Sequence, residues 1–572
     1  MHFLAEGVVN RLVVLGVLSA FILTRPIEAA PASGAAGVVQ RAVEQEFKVE
    51  DISPEKEVPL LEIDIPTEVL DIPTGIAVHI ESIILQGNTV LSEKEIKRLL
   101  DPYCHRELNG KDVIQLCQEI DQFYVKKGYF LAWTYPPVQK IENGQLILQV
   151  LEGHLADIEI EGNISYSTNY IRKYVSHLKG KALNYNDLLK ALILLNENFS
   201  LTVKGVLRKS PVLGGVCLVL VIQDKFPYQF SVGYNNWGSQ STTYDQISSE
   251  ADVGNVLASG DKLVLLTSFG IPPVFYFVNP IYSIPVNGYG SRLSFSYLYS
   301  FSNIQQLQSL ELKARSEVGT IALSQPVART RKFSATTFAI FDIKQMSNYE
   351  QGETVSFDKL RVFSFGAALD YVDAVLGRSF FNAYLRAGIP DFLGGYKAVD
   401  PSSSREGSGA RYYILDANFQ RIQPLPKDCS LLLTTSAQGT FNLLPIPEEF
   451  AIGGIGSVRG YPAAVAIGDL GYFGNLEFYT PLPFLRDTIC KSMKKKWKEF
   501  LQFLVFLDHG GVYSNNSVED VLSPAYLTST GVGLRFYGPR GVNVSFDAAF
   551  PLTNQYKDFS RFYYIRVNAS LF

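Results

Sequence analysis

Arg459 lies in the glycine-rich stretch Gly453–Pro462 (GGIGSVRGYP). Glycine lets a backbone approach other groups closely and adopt positive φ at little steric cost, and arginine binds a carboxylate or a phosphate through paired hydrogen bonds. A phosphate-binding loop is excluded, because Gly454, Gly456 and Gly460 miss the G-x-G-x-x-G spacing by one residue and no Gly-Lys-Ser/Thr follows. The loop therefore needs a different partner.

No set of residues with catalytic spacing stands out. The six histidines are scattered, and neither H-E-x-x-H nor G-x-S-x-G occurs. His509 follows Asp508 directly, and we interpret it as a wall residue of a strand rather than as a base. The sequence predicts no enzyme activity, no cofactor and no metal site.

Five cysteines lack C-x-x-C spacing, so zinc binding and thioredoxin-like chemistry are not expected. Cys104 and Cys117 lie close in sequence and are either a disulfide, as an oxidising compartment permits, or two separate buried thiols. Three leftover cysteines argue against a disulfide scaffold.

Composition narrows the class of protein further. A chain of 572 residues exceeds one ordinary domain. Charged residues make up 19% and aromatic residues 12%, with 31 Tyr and 37 Phe, which indicates much apolar surface. The net charge of -5 gives no basic footprint, so nucleic acid is not an expected partner.

Residues 1–32 predict a secretory signal peptide, with the apolar run 12–24 (LVVLGVLSAFILT) and an A-x-A site at Ala30-Pro31-Ala32. A membrane-spanning helix needs about 18 or more apolar residues, and no segment reaches that length. Residues 33–75 follow. Residues 38–49 have helical spacing, and prolines at 54, 59, 66 and 73 mark a linker.

Residues 76–225 contain a repeat. Residues 76–153 read as strand, two helices and two strands, with Ser92 as the cap of the first helix. Residues 154–225 repeat this order. The pattern predicts two small α/β domains of β-α-α-β-β order.

Residues 226–572 change to short alternating runs separated by turn residues. In Arg292–Tyr299 (RLSFSYLY), apolar and polar side chains alternate, so one face is apolar and the other polar. A soluble sandwich also alternates, but one of this length would be large. Roughly sixteen strands of about ten residues with loops fit a transmembrane antiparallel β-barrel with an outward apolar belt. The predicted fold class is therefore mainly β, with a 16-stranded barrel after two α/β domains.

Two motifs then resemble a known family. Val458-Arg459-Gly460-Tyr461 is similar to the VRGY motif, and Phe506-Leu507-Asp508 to the F-x-D motif, of the outer-membrane transporters of two-partner secretion, the haemolysin secretion/activation proteins. In that family the first motif lies on a long loop that folds back into the pore, and the second lies on an inward-facing strand. The resemblance covers nearly the whole chain after the signal.

Weaker matches accompany these motifs. Pro137-Val138-Gln139 with Gly144, and then Glu152-Gly153, resemble the first polypeptide-transport-associated (POTRA) domain. Gly468-Asp469-x-Gly471 and Glu477 resemble the segment after the VRGY loop. Tyr234–Gly238 (YNNWG) looks like the first barrel strand, although Thr242-Thr243 stands where the family has Thr-Gly.

The resemblance gives Arg459 a partner. Strand parity in 501–511 places Phe506 and Asp508 on one face and Val505 and Leu507 on the other, so Asp508 faces the lumen if the more apolar set faces lipid. We expect Arg459 to pair with Asp508 and Tyr461 to pack against the wall. The alternative is an exposed loop arginine.

The resemblance also implies a function. Two periplasmic POTRA domains capture an unfolded exoprotein, and the barrel in the bacterial outer membrane, surrounded by lipid, secretes it to the cell surface. Strand addition at an open sheet edge fits this capture. The candidate edges are 201–208 and 216–222, with candidate capture residues Leu201, Leu207, Val216 and Leu218.

Several alternatives stay open. The segment 38–49 is either the family's plug helix or a disordered spacer. The chain is expected to be a monomer. An insertase that assembles other barrels is the main alternative function, and a passive porin has no need of two POTRA domains.

Overall fold

The computed structural model describes residues 61–64, 77–198, 200–238, 243–303, 312–491, 494–515, 525–554 and 563–571. The predicted signal peptide, the segment 38–49 and most of the linker lie outside these residues, as does Thr242. The chain forms two compact units, Glu57–Phe226 with Asn287–Gly290, and Pro227–Val286 with Ser291–Phe572 among its residues. Among the described residues, no helix has both the length and the apolar character needed to cross a bilayer.

The first half of the N-terminal unit contains two helices and five short strands. After β1 (Leu61–Asp64), the elements in chain order are β2 (Val78–Ile80), β3 (Ser82–Gln86), α1 (Glu93–Leu100), β4 (Arg106–Leu108), α2 (Gly110–Lys126), β5 (Trp133–Tyr135) and β6 (Gln145–Leu151). The strands β3 and β6 pair in parallel, and β5 pairs with β6 in antiparallel fashion, while β2 pairs with β4.

Local sequence explains these elements. Ser92 is the N-cap of α1, as the sequence predicts, and it forms a capping box with Glu95. The side-chain amide of Gln139 donates to the carbonyl of Ile147 at 2.6 Å and accepts from the amide of Ile147 at 2.8 Å. These two bonds attach the segment around Gln139 to β6. The carboxylate of Glu152 accepts from the backbone amide of Thr89 at 2.7 Å. Two residues singled out in the sequence therefore close this domain through backbone groups.

The second half repeats the pattern as β7 (His154–Glu161), α3 (Thr168–Val175), α4 (Tyr185–Asn196), β8 (Leu201–Lys209) and β9 (Gly215–Asp224). Its sheet has the order β1-β8-β9-β7, where β1 is Leu61–Asp64 from the linker. Both halves have the order β-α-α-β-β, to which the first half adds the paired strands β2 and β4. The residue boundary between the halves stays a prediction.

The sheet order corrects the capture residues proposed from sequence. Strand β9, which carries Val216 and Leu218, is central and pairs with both β7 and β8, so it has no open edge. The side chains of Leu201 and Leu207 on β8, like those of Val216 and Leu218, are buried in the core of this half. A side chain that faces the core cannot contact a captured chain. At Leu201 and Leu207, only main-chain groups remain for that purpose.

The structure decides between the two alternatives for the cysteine pair. Both Cys104 and Cys117 are free thiols, which is the second of the two alternatives open from sequence. Cys117 lies on α2 with its side chain in the core, whereas the Cys104 sulfur lies 3.5 Å from the carbonyl oxygen of Leu100. Each sulfur is thus held by its own local surroundings. Burial also raises the pKa of Cys117 to about 12, which keeps this thiol protonated.

Asp121 on α2 makes the stability of this half depend on pH. Burial raises the pKa of its carboxyl to about 6, and one carboxyl oxygen accepts from the amide of Thr134 at 2.8 Å. Between about pH 4 and 6 the folded state binds a proton that the unfolded state has released, so stability falls as pH rises through this window. Asp121→Asn is expected to abolish this slope.

The measurement is the urea midpoint of the full-length protein at several pH values. Fluorescence of Trp133 reports on this half once Trp237 and Trp497 are replaced by Phe. The asparagine keeps the hydrogen bond to Thr134, so it serves as an isosteric comparison. An unchanged pH slope in Asp121→Asn would contradict the assignment.

In the C-terminal unit, sixteen strands among the described residues form a closed antiparallel barrel, which confirms the predicted fold class. Each strand pairs with the next along the barrel, and β10 pairs with β29 to close it. The strands are β10 (Tyr228–Asn235), β11 (Asp245–Gly254), β12 (Lys262–Ile271), β13 (Phe275–Pro285), β14 (Arg292–Asn303), β15 (Lys313–Arg329), β16 (Phe333–Glu350), β17 (Glu353–Val372), β18 (Arg378–Gly388), β19 (Tyr413–Leu425), β20 (Cys429–Gly439), β23 (Leu470–Thr480), β26 (Leu501–Tyr513), β27 (Ala525–Tyr537), β28 (Asn543–Pro551) and β29 (Tyr563–Ser570).

Four shorter strands lie in the described parts of the connections. They are β21 (Phe450–Ile452), β22 (Ala466–Gly468), β24 (Ile489–Cys490) and β25 (Lys495–Lys496). Strands β21 and β22 pair with each other between β20 and β23.

The barrel is apolar outside and polar inside. Along β26, Val505 and Leu507 are exposed, whereas Gln502, Phe506 and Asp508 are buried. The same alternation exposes Phe295 and Tyr297 on β14. An outward apolar belt with buried polar residues between is the arrangement of a membrane barrel.

Candidate functional site

A long connection between β20 and β23, residues 440–469, folds into the barrel and is called here the re-entrant loop. Its strands β21 and β22 pair and bring the two sides of the glycine-rich stretch together. Gly453 has φ of +111°, and a Cβ there would lie 2.2 Å from the carbonyl oxygen of Pro462. Glycine is required at this position because both the backbone angle and the close approach exclude a side chain.

The tip of the re-entrant loop is buried. Val458 and Tyr461 are 0% exposed and Arg459 is 4% exposed. Val458 and Tyr461 share an apolar cluster with Phe473 of β23 and Val512 of β26. The loop tip is therefore packed against the inner wall, and Arg459 is carried into the lumen with it.

Arg459 and Asp508 meet in a bidentate ion pair. The Nε atom of Arg459 lies 2.7 Å from Oδ2 of Asp508, and Nη2 lies 2.8 Å from Oδ1. The backbone amide of Arg459 also donates to Oδ2 at 3.1 Å. Parallel contacts of this kind fix the orientation of the guanidinium as well as its position.

Two further carboxylates surround the same guanidinium. Its Nη2 atom lies 2.7 Å from Glu477 Oε1 on β23, and its Nη1 atom lies 3.5 Å from Asp547 Oδ2 on β28. Arg535 of β27 holds Asp547 in turn, at 2.6 Å and 2.9 Å. We call Arg459, Asp508, Glu477 and Asp547 the Arg459 cluster.

Phe506 supplies a flat surface beneath the cation. The Cζ atom of Arg459 lies 3.5 Å from the centroid of the Phe506 ring, a cation–π contact. Gly531 on β27 leaves room for this ring, since a Cβ there would lie 2.3 Å from the ring's Cζ atom and 2.1 Å from the carbonyl oxygen of Ala548. From the same strand, Phe506 therefore contacts the flat face of the Arg459 guanidinium, and Asp508 contacts its edge.

Tyr461 also contacts the wall. Its hydroxyl donates to the carbonyl oxygen of Thr528 at 2.8 Å and accepts from the amide of Thr553 at 3.1 Å. The amide of Gly460 donates to the hydroxyl of Tyr564 at 3.0 Å. All four residues of the Val458–Tyr461 motif thus touch the inner face of the barrel or pack in its apolar cluster.

His509 lies on the other side of the wall from Asp508. Its ring nitrogens contact the hydroxyls of Tyr472 at 3.1 Å and Thr528 at 2.8 Å, and the residue is exposed. Because adjacent strand residues point to opposite faces, His509 and Asp508 do not form an acid–base pair.

Sequence reasoning missed Asp547, Arg535 and Gly531. A carboxylate at an inward position of β28 was visible from strand alternation, since Asp547 follows the outward Phe546. Its distance in sequence from Arg459 gave no sign that the two meet. Glu477 was noted from sequence, but its contact with Arg459 was not.

Comparison with known proteins gives two matching family models. The model of the POTRA domain, ShlB-type, matches residues 78–153. The model of the haemolysin secretion/activation protein ShlB/FhaC/HecB matches residues 214–536.

Individual relatives are distant but cover most of the chain. The heme/hemopexin transporter protein HuxB of Haemophilus influenzae (strain 86-028NP) is 24% identical over 82% of this chain and 83% of its own. The outer membrane transporter CdiB of Escherichia coli is 22% identical over 83% of this chain and 79% of its own. The solved structure of CdiB from Escherichia coli has a TM-score of 0.76 at 20% identity, with 96% of this chain and 100% of that chain covered, and shares the fold.

Proposed function

The chain belongs to the haemolysin secretion/activation protein ShlB/FhaC/HecB family, and from this premise we propose that it secretes one unfolded partner exoprotein across the bacterial outer membrane. It is an outer-membrane transporter whose POTRA domains face the periplasm, as in its family. The observation that carries the proposal is the Arg459 cluster, because a loop tip fixed inside a closed barrel occupies the route that a secreted chain takes.

Capture is proposed at the edge of β8 that β1 covers in this structure, with the captured chain taking the place of β1. Main-chain groups at an open edge pair with an extended chain and make little demand on its sequence. The linker strand β1 supports this mode, because Leu61–Asp64 already pairs in parallel with Gly205–Arg208 of β8. An edge that accepts one extended segment suits another, and the buried leucines of β8 hold the strand in place.

The barrel then provides the path, and the re-entrant loop holds it in a defined state. Arg459 and Asp508 are proposed to keep the loop docked and the barrel competent for transport. The chain has no nucleotide-binding motif, so we propose that folding of the partner outside the cell drives export. The working unit is proposed to be a monomer in outer-membrane lipid, with no catalytic role.

Comparing cells that lack the gene, carry it, or carry a version without residues 76–225 tests this function. We expect at least one protein to be released into the medium only by cells with the intact gene, because the shortened barrel cannot capture it. The shortened protein must still form a barrel, as shown by its altered gel mobility before heating.

Other outcomes favour other functions. Loss of several barrel proteins from the outer membrane, with no change in released proteins, would support an insertase. Full release by the shortened version would support a passive channel and would overturn the proposal.

A further inference from the structure

The first part of the re-entrant loop carries a buried carboxylate that the Arg459 cluster does not use. Glu448 ends a short helical turn, Ile446–Glu448, just before β21. Its Oε1 atom lies 2.9 Å from Nζ of Lys344 and its Oε2 atom lies 2.5 Å from Nη1 of Arg386. The side chains of Lys344 and Glu448 are both 0% exposed. We call these three residues the Glu448 cluster.

The Glu448 cluster ties the loop to the barrel wall. Lys344 lies on β16 and Arg386 on β18, both inside the barrel unit. Arg386 also donates to Asp416 of β19 and, at 3.1 Å, to Gln438 of β20. Two wall strands therefore contact the carboxylate of Glu448 directly, and two more are linked to it through Arg386.

Gln438 joins the two ends of the loop at this point. Its Nε2 atom donates to the carbonyl oxygen of Glu448 at 2.9 Å and to that of Asp469 at 3.0 Å. Arg405, from the connection between β18 and β19, reaches Glu449 at 2.6 Å and Asp469 at 2.9 Å. The entry and exit segments of the loop are thus held together, and they are held through charged groups.

The two clusters use different arcs of the barrel. Counted along the closed barrel, β16 and β18 are the seventh and ninth strands, whereas β23, β26 and β28, which hold Arg459, are the twelfth, thirteenth and fifteenth. In a ring of sixteen, the seventh and fifteenth strands lie on opposite sides. Releasing the tip of the loop from one arc leaves its stem attached to the other.

We propose that Glu448 is a positioning residue for transport, which with Lys344 and Arg386 clamps the stem of the re-entrant loop to the wall independently of Arg459. A buried ion pair is weak evidence for stability, because desolvation offsets the attraction between the charges. Loss of one partner nevertheless leaves a buried charge uncompensated. Lys344 and Arg386 of the wall therefore strongly favour the docked position of Glu448. The loop is therefore held at two points, and both must release before it leaves the lumen.

Ion conductance of the purified full-length protein in planar lipid bilayers tests the clamp. Glu448→Gln removes the charge with little change of shape, and it is expected to raise the fraction of time spent in conducting states by about tenfold or more. The inference rests on the proposed role of the loop in transport. Its conductance readout needs no secreted partner, so its failure is distinct from failure of the export proposal.

Two further variants keep the test decisive. In Lys344→Met/Glu448→Gln neither charge of the Lys344–Glu448 pair remains, so barrel assembly is restored to the wild-type level while conductance stays high. Asp370→Asn breaks the Arg378–Asp370 pair, which joins β17 to β18 at 2.6 Å, and is expected to leave conductance unchanged.

The expected pattern is high conductance in both Glu448 variants, with normal gel mobility before heating in the double variant. Wild-type conductance in the double variant, or an equal rise in Asp370→Asn, would overturn the clamp, because a merely structural pair would then explain the result.

Discussion

Arg459→Ala is expected to reduce release of the partner exoprotein by at least an order of magnitude. The substitution leaves Asp508, Glu477 and Asp547 close together inside the barrel without the guanidinium that neutralises them. Removing one member of a desolvated ion pair typically costs about 3–5 kcal/mol, which is enough to undock a loop. The measurement is the amount of exoprotein in the medium, normalised to folded barrel in the outer membrane.

The contacts of Arg459 also predict an order among variants. Asp508→Asn is expected to be milder than Arg459→Ala, because Arg459 keeps Glu477 at 2.7 Å and the ring of Phe506. Arg459→Lys keeps the charge but loses the bidentate geometry, so it is expected to be intermediate. Arg411→Ala, in an exposed loop position, is the matched control and is expected to secrete normally. Normal secretion by Arg459→Ala would remove the proposed role of the loop.

Exchange of the two charges gives a stricter test. From sequence alone, a pair of opposite charges predicts full rescue when Arg459 and Asp508 are swapped. The structure predicts incomplete rescue, because an aspartate at 459 faces Glu477 and Asp547, and the cation over Phe506 is lost. Full rescue would indicate that these neighbours do not contribute to docking.

Gly453→Ala is expected to undock the loop, although it removes no charged group. Alanine at φ of +111° is strained, and its Cβ would lie 2.2 Å from the carbonyl oxygen of Pro462. Backbone strain of this kind costs about 1–3 kcal/mol even before the contact is counted. We expect a large loss of secretion, together with new trypsin cleavage after Arg459, which is 4% exposed when docked.

Gly456→Ala is the matched control for this variant. It lies in the same stretch, and a Cβ there meets nothing within 4 Å. We expect normal secretion and no cleavage after Arg459. Equal effects of the two alanines would mean that the close approach of Gly453 to Pro462 does not decide whether the loop docks. That result would contradict the prediction.

The two clusters suggest why the loop is held by ion pairs rather than by apolar packing alone. A buried charge needs its partner in one particular position, because displacing either side chain leaves an uncompensated charge. The Arg459 cluster and the Glu448 cluster therefore favour one docked arrangement over many similar ones. Apolar residues such as Val458 and Tyr461 add packing to that arrangement.

Alternation of side chains is a local property, and the sequence by itself determined what depends on it. It predicted the barrel, the repeated β-α-α-β-β order and the lumen-facing side of Asp508, because residues two apart on a strand share a face. Short motifs added the partner of Arg459, through resemblance to a family. Each of these inferences uses neighbouring residues or a recognisable stretch.

Only the tertiary structure decided which distant residues meet. Arg459 contacts Asp547 across 88 positions and Lys344 contacts Glu448 across 104, and no periodicity links such pairs. Likewise, only the structure shows that β9 is central in its sheet and that β8 pairs with β1. It also shows that the side chains of the predicted capture residues lie in the core. Strand alternation specifies the face on which a side chain lies, whereas register, closure of the barrel and the fold of the loop bring particular faces together.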